Sequence, residues 1–104
     1  AVVGGLIEEI RPILTKRGDR MAFFKLVDFT DRIEVVAFSR SYEQYKELLV
    51  AEKCLAVRGQ ISLRNGEPSI ILESVKELEA MIEDLEDGSE EKGYFKKVLE
   101  QLYE

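Results

Sequence analysis

The apolar pattern of this chain changes period twice within its first 75 residues, and that order restricts the folds open to it. Val2 to Leu14, Met21 to Phe29 and Ile33 to Phe38 read as three strands, rich in β-branched and aromatic residues and separated by short polar joints. Between Ser41 and Leu49 the period lengthens. Tyr42, Tyr45, Leu48 and Leu49 fall on one stripe of a helix that Ser39 or Ser41 is placed to cap. Lys53 to Leu63 and Ser69 to Val75 return to strand, joined by Arg64-Asn65-Gly66-Glu67, a strong hairpin signal. Within the first strand, Gly4-Gly5 permits a bend or bulge, and Pro12 marks an edge or a point where pairing stops. Gly18-Asp19 centres the turn that follows. From Lys76 the pattern is helical, with Leu78, Met81, Ile82 and Leu85 on one face. After an acidic break, Lys92 to Tyr103 predicts a second helix whose apolar side carries Phe95, Val98, Leu99 and Leu102.

Three strands, a helix and a hairpin with short joints is the order of the OB-fold, a five-stranded, partly open Greek-key barrel. In that fold strands 2 and 3, with the 1–2 and 4–5 loops, bind oligonucleotides. The helix between strands 3 and 4 plugs one end. The expected architecture is therefore mainly β, a barrel over residues 1–76 followed by an acidic helical extension over 77–104. The expected interior is Leu6, Ile10, Phe24, Leu26, Val35, Leu55, Val57, Ile61 and Ile71, with Leu48 and Leu49 closing one end.

Composition narrows the function classes. The 104 residues suit one domain with a real core. No apolar run approaches the ~20 residues of a membrane span. The start, AVVGGLIEEI, lacks the order of a secretory signal and an initiator methionine, so a cytoplasmic piece of a longer polypeptide is expected. The single cysteine, Cys54, and the absence of histidine leave no internal disulfide and no usual zinc or imidazole chemistry; no cofactor is expected. Cys54, in KCLAV, reads as a buried small hydrophobe. The net charge of −6 resides in the tail: residues 1–75 carry eleven Lys/Arg and eleven Asp/Glu, residues 76–104 four and ten. Attraction to phosphate must come from local clusters, and it should be modest and salt-sensitive.

One such cluster lies in TKRGDRMAFFKLVDFTDRIEVVAF, residues 15–38. Lys16, Arg17 and Arg20 outnumber Asp19 in a glycine-containing loop. Strand 2 alternates, so Phe24, Leu26 and Asp28 share one face and Phe23, Lys25, Val27 and Phe29 the other. A lysine belongs on the wet side, which turns Phe23 outward, where a ring beside positive charge can stack on an unpaired base. Glu34, Val36 and Phe38 of strand 3 are expected on the same exposed sheet. Phe38 is either a second platform or a ring packed beneath the helix. Arg64 beside Asn65 is a weaker candidate, because the hairpin needs its Asn-Gly pair in any case. The carboxylates of Asp28 and Glu34 lack a third acid, a histidine or a nucleophile, and Asp28 is better placed as a turn residue. The candidate contact set is thus Lys16, Arg17, Arg20, Phe23, Lys25, Glu34, Phe38 and Arg64, and it is a binding set, not a catalytic one.

Over residues 2–78 the chain resembles the OB domain near the C-terminus of bacterial replicative DNA polymerase III alpha subunits. The features that carry this are TKRGDRMAF, the L-x-D-x-x-x-x-I-E-V-V-x-F run from Leu26 to Phe38, the Y-x-x-Y helix, and a V-R-G strand before an R-x-G-E turn. Similar pieces occur in anticodon-binding OB domains of aminoacyl-tRNA synthetases, where a phenylalanine at the position of Phe23 stacks on a base. Where a glycine is usual in the strand 2–3 turn, this chain has Asp31-Arg32. The resemblance implies a non-catalytic module of a DNA-directed DNA polymerase, a transferase of DNA replication. It implies single-stranded DNA and the other domains of the parent polymerase as partners. Two alternatives stay open: an RNA ligand of the anticodon kind, and a protein-interaction scaffold joining polymerase domains or clamp-loader partners. The neutral body and the amphipathic 92–103 helix motivate the scaffold, unless that helix packs back onto the barrel. A monomeric fragment with no membrane partner is expected. The segment beyond Leu78 carries no such resemblance.

Overall fold

The structure, a computed structural model, describes residues 2–28, 31–64 and 66–102. These residues form β1 (Val2–Leu14), β2 (Arg20–Val27), β3 (Arg32–Ala37), α1 (Ser39–Tyr45), β4 (Cys54–Arg64), β5 (Glu67–Glu77), α2 (Leu78–Asp84) and α3 (Glu90–Leu102). Each strand has one apolar face to bury, and a sheet closed on itself buries them together without leaving an edge. β1 pairs antiparallel with β2 and with β4, β2 with β3, and β4 with β5, while β3 and β5 run parallel. The result is a closed barrel in the order β1-β2-β3-β5-β4, the OB topology that the strand order predicts.

Ile7, Phe24, Leu26, Val35, Leu55, Val57 and Ile70 fill the interior, each at most 2% exposed. Tyr42, Tyr45 and Leu48 pack against this cluster and Leu49 is buried in it, so α1 and the turn after it close one end as expected. Neither Ser39 nor Ser41 caps α1. Phe38 holds the N-cap position without a side-chain bond, and the Ser41 hydroxyl donates instead to the Leu72 carbonyl of β5 at 2.9 Å.

Two bulges account for the interior residues that simple alternation misplaces. In β1 the three-residue step from Glu8 to Arg11 faces the two-residue step from Lys25 to Phe23, and Glu9 sits at φ 52. The bulge thus falls at Glu9 and not at Gly4-Gly5, which pair regularly with Ala56 and Leu55. Ile7, paired with Leu26, takes the inward position expected of Leu6, which is half-buried. The second irregularity, between Arg58 and Gly59, places one extra residue in β5, so that Leu72 and Val75 both point inward. Below it, the parallel pairing of Val35 with Ile70 makes Ile70 the core residue in place of Ile71. Ile61 pairs with Ile70 yet remains 54% exposed, because β4 pairs with β1 only as far as Arg58 and beyond it is flanked by β5 alone.

The C-terminal helices cover an outer face of this barrel. Leu78, Ile82, Phe95 and Val98 are buried against Ala56, with Val2 and the half-buried thiol of Cys54 at the margin. Burying side chains of this size contributes roughly 1.5–3 kcal/mol each, enough to hold α3 down. Gly4 makes the close approach possible, since a Cβ there would lie 2.8 Å from the Phe95 ring. The Ser89 hydroxyl accepts the Lys92 N–H at 3.2 Å and caps α3. Lys92 also pairs with Asp87, which holds that exposed carboxyl below its ordinary value. The Tyr94 hydroxyl donates to Asp28 Oδ2 at 3.3 Å and so reaches the end of β2. No helix among the described residues is long and apolar enough to cross a membrane.

Two outcomes follow for stability. Phe24→Ala should cost about 3–5 kcal/mol, because the ring is fully enclosed, and Phe23→Ala much less, read as the difference between their denaturant melts. Burial, and then the Asp28 charge, raise the Tyr94 phenol above its ordinary 10.0. A group whose folded pKa is raised stabilises the protein fully below the unfolded value and loses that contribution as pH climbs through the folded one. Thermal melts from about pH 8 to about pH 11 should therefore fall on the alkaline side, and Tyr94→Phe should flatten part of that fall.

Candidate nucleic-acid interface

The β1–β2 connection is a closed turn that displays its cations. The Thr15 N–H donates to the Asp19 carbonyl at 2.7 Å, and the Asp19 N–H donates to the Thr15 hydroxyl at 3.1 Å. Gly18 completes the turn at φ 87, a conformation that favours glycine. Lys16 and Arg17 are exposed in the loop and Arg20 is exposed at the first position of β2. No ion pair among the described residues engages any of the three.

The β1 bulge decides what stands beside Phe23. By restoring pairing at Arg11, it places that residue directly opposite Phe23, and the guanidinium lies over the ring, 5.7 Å from its centroid. A cation–π contact at an exposed position contributes about 0.5–1 kcal/mol. On the other side Phe23 faces Val36, which pairs in turn with Ile71. Val36 was expected on the exposed sheet; flanked by these two side chains it is buried. The next row is polar. Lys25 lies between Glu8 and Glu34, Glu34 faces Ser69, and the Lys25 ammonium sits 3.7 Å from the Glu34 carboxylate.

These rows form one side of an open groove of about 720 Å³. Arg11 and Ile13 stand on the β1 side, Phe23 and Lys25 on β2, residues 31–34 at the start of β3, and Glu67, Pro68 and Ser69 on the β5 arm. The lining is balanced in charge: Arg11, Lys25 and Arg32 against Asp31, Glu34 and Glu67. Arg32 is further offset by Glu8 at 3.7 Å. Further positive charge without an ion pair among the described residues stands on the neighbouring β1–β2 connection, at Lys16, Arg17 and Arg20.

The groove thus brings together Phe23, Lys25 and Glu34 of the expected set, and its lining does not include Lys16, Arg17, Arg20 or Phe38. Phe38 is 51% exposed just past the last β2–β3 pair, Ala22 with Ala37, so it does not pack beneath α1. Arg64 ends β4, but its side chain lies outside the described residues, as do Asn65, Phe29 and Thr30. Arg11, Arg32 and Ser69 are the residues that alternation alone missed.

The β2–β3 turn closes without the usual glycine. The Asp28 N–H donates to the Asp31 carbonyl at 2.9 Å, and the Asp31 N–H donates to Asp28 Oδ1 at 2.8 Å. The Arg32 N–H donates to Asp31 Oδ1 at 2.8 Å. Asp28 is a turn residue, as its place before Thr30-Asp31 suggests, and Glu34 is engaged with Lys25.

Residues 1–78 match the family described as an OB-fold nucleic acid binding domain. The chain belongs to that family. Its relatives include DNA polymerase III subunit alpha of Aquifex aeolicus, 46% identical over 59 residues, which is 57% of this chain and 5% of that protein. The subunit of Borreliella burgdorferi is 32% identical over 80 residues, 76% of this chain and 7% of that protein. The subunit of Deinococcus radiodurans is 32% identical over 111 residues, 97% of this chain and 8% of that protein. The chain spans less than a tenth of these relatives. The last match runs through the C-terminal helices, which carried no resemblance on reading. The groove lies over β2 and the start of β3, with Arg11 and Ile13 of β1 on one side and Glu67, Pro68 and Ser69 of β5 on the other. The Lys25–Glu34 pair is solvent-accessible and contributes at most about 1 kcal/mol. Glu34→Gln should therefore lower the thermal melt by no more than about 4–8 °C, the shift that 1 kcal/mol produces in a domain of this size.

Proposed function

We propose that this domain holds single-stranded DNA across β2 and β3, as a non-catalytic module of a bacterial replicative DNA polymerase working in the cytoplasm. The observation that carries this reading is the half-buried Phe23 ring in the groove, next to a loop whose Lys16, Arg17 and Arg20 are exposed. A base stacks on Phe23, Lys25 and Arg11 approach the backbone on either side, and the loop cations steer the strand inward. Phe38 and Arg64 extend the path beyond the groove. Glu34, 3.7 Å from the Lys25 ammonium, tempers the charge of Lys25.

Stacking supplies ~1–3 kcal/mol per base with little sequence preference. With one ring and a charge-balanced groove, the isolated chain should bind weakly, with a Kd on the order of 10⁻⁴–10⁻⁵ M near physiological salt. Tethering within a longer polymerase raises the effective concentration and makes higher affinity unnecessary. The apolar side of α3, which motivated the scaffold reading through Tyr94, Phe95, Leu99 and Leu102, packs back onto the barrel, with Phe95 buried and the other three partly buried against the same cluster. On this reading residues 77–104 are an extension of the barrel domain.

Fluorescence anisotropy with labelled oligo-dT tests the proposal. Phe23→Ala should weaken binding by about tenfold, the lower part of the stacking range. The Lys16→Ala, Arg17→Ala double variant should weaken it and reduce the salt slope by roughly 1.4, two phosphate contacts on a single strand. Wild-type affinity in both variants would remove the proposed site. Tighter binding of oligo-rU than of oligo-dT would move the ligand class to RNA.

A further inference from the structure

The groove and the C-terminal helices meet at one carboxylate. Asp28 Oδ1 accepts the Asp31 N–H at 2.8 Å, and Asp28 Oδ2 accepts the Tyr94 hydroxyl of α3 at 3.3 Å. Asp31 and Arg32, the residues that this turn delivers, line the groove. One carboxylate thus touches both the described residue Asp31 and the helix α3. Tyr94 is itself held: its ring meets that of Phe95 edge-on at 5.0 Å, and Phe95 is buried against the first strand at Gly4.

We propose that Tyr94 is a positioning residue for the groove: by donating to Asp28 it fixes the β2–β3 turn, so the C-terminal extension sets the affinity of the strand 2–3 face for a single nucleic-acid strand. Tyr94 does not line the groove. It acts through a chain of two hydrogen bonds, from a helix packed on the outside of the barrel to the wall of the binding face. The extension is thereby a functional part of the binding unit. A change that breaks the Tyr94–Asp28 bond reaches the ligand through the turn.

This inference rests on the reading of the groove as a single-strand site, and the experiment separates the two. Tyr94→Phe keeps the ring and removes the hydroxyl, with its bond to Asp28 and the one it accepts from the Gly4 backbone. In the ligand-free chain, hydrogen exchange at the Asp31 amide should accelerate about threefold to tenfold, the loss expected when a charge-assisted bond that orients its acceptor is removed. Oligo-dT binding should weaken by a similar factor while the thermal melt near neutral pH stays close to wild type. Val98→Ala, which loosens α3 packing but keeps the hydroxyl, should lower the melt without that loss of affinity. Asp28→Asn should weaken binding as well, and adding Tyr94→Phe to it should cause no further loss, because both act on one link. Unchanged Asp31 exchange in Tyr94→Phe overturns the positioning role even if oligo-dT binds. Unchanged affinity despite faster exchange overturns the link to binding. Failure of the wild type to bind oligo-dT overturns the single-strand reading, and with it the role of Tyr94 in affinity.

Discussion

The barrel closes because β1 serves two partners. Its first residues pair with β4 as far as Leu6, and its remainder pairs with β2 as far as Leu14. A straight strand cannot follow both neighbours around a small barrel. The bulge at Glu9, with its backbone in the left-handed region, supplies the bend at a strain of order 1–3 kcal/mol. The same extra residue turns the side chain of Arg11 onto the outer face, opposite Phe23. Closure of the fold and construction of the binding face are therefore one event in the backbone. The geometry around the ring inherits its accuracy from the bend.

Element order, barrel topology and the facing of strand 2 were legible in the sequence. They depend on period, and period survives in a single chain: Lys25 between Phe23 and Val27 can only face water if Phe24 and Leu26 face inward. What was not legible is anything that follows an irregularity. Alternation places Leu6 and Ile71 inside; the bulges move those sites to Ile7 and Ile70. Arg11 became a neighbour of Phe23 for the same reason, and no local signal in IEEIRPIL marks Glu9 as the residue that shifts the register. Ser69 reached the groove through the parallel β3–β5 pairing, a long-range contact invisible to local pattern. The β2–β3 turn shows the opposite case, where the Asp28 and Asp31 side chains that replace the usual glycine could be read as turn formers directly.

Charge is distributed so that binding is possible without being strong. Inside the groove Lys25 and Arg32 each have an anion within 4 Å and Arg11 lies over Phe23, while the exposed Lys16, Arg17 and Arg20 are engaged by no ion pair among the described residues. Under the proposed function, such a surface holds a strand delivered to it and releases it readily. The acidic C-terminal helices lie on an outer face of the barrel, with their apolar stripe spent on Ala56 and the Gly4 region. In the role proposed for Tyr94 their contribution to the binding face is mechanical, through the hydrogen bond from Tyr94 to Asp28, which lets an acidic extension of a charge-neutral barrel favour binding.

The claim beneath this account is that an unpaired base lies flat on the ring of residue 23. The most direct measurement is the proton NMR spectrum of that side chain during titration of the intact chain with short oligo-dT at low salt. Stacking predicts a progressive upfield shift of the Phe23 ring protons, accompanied by shifts at Arg11 and Lys25 and by none at Phe95. Ring resonances that stay in place while the oligonucleotide binds, with the perturbed residues gathered elsewhere on the barrel, would contradict it.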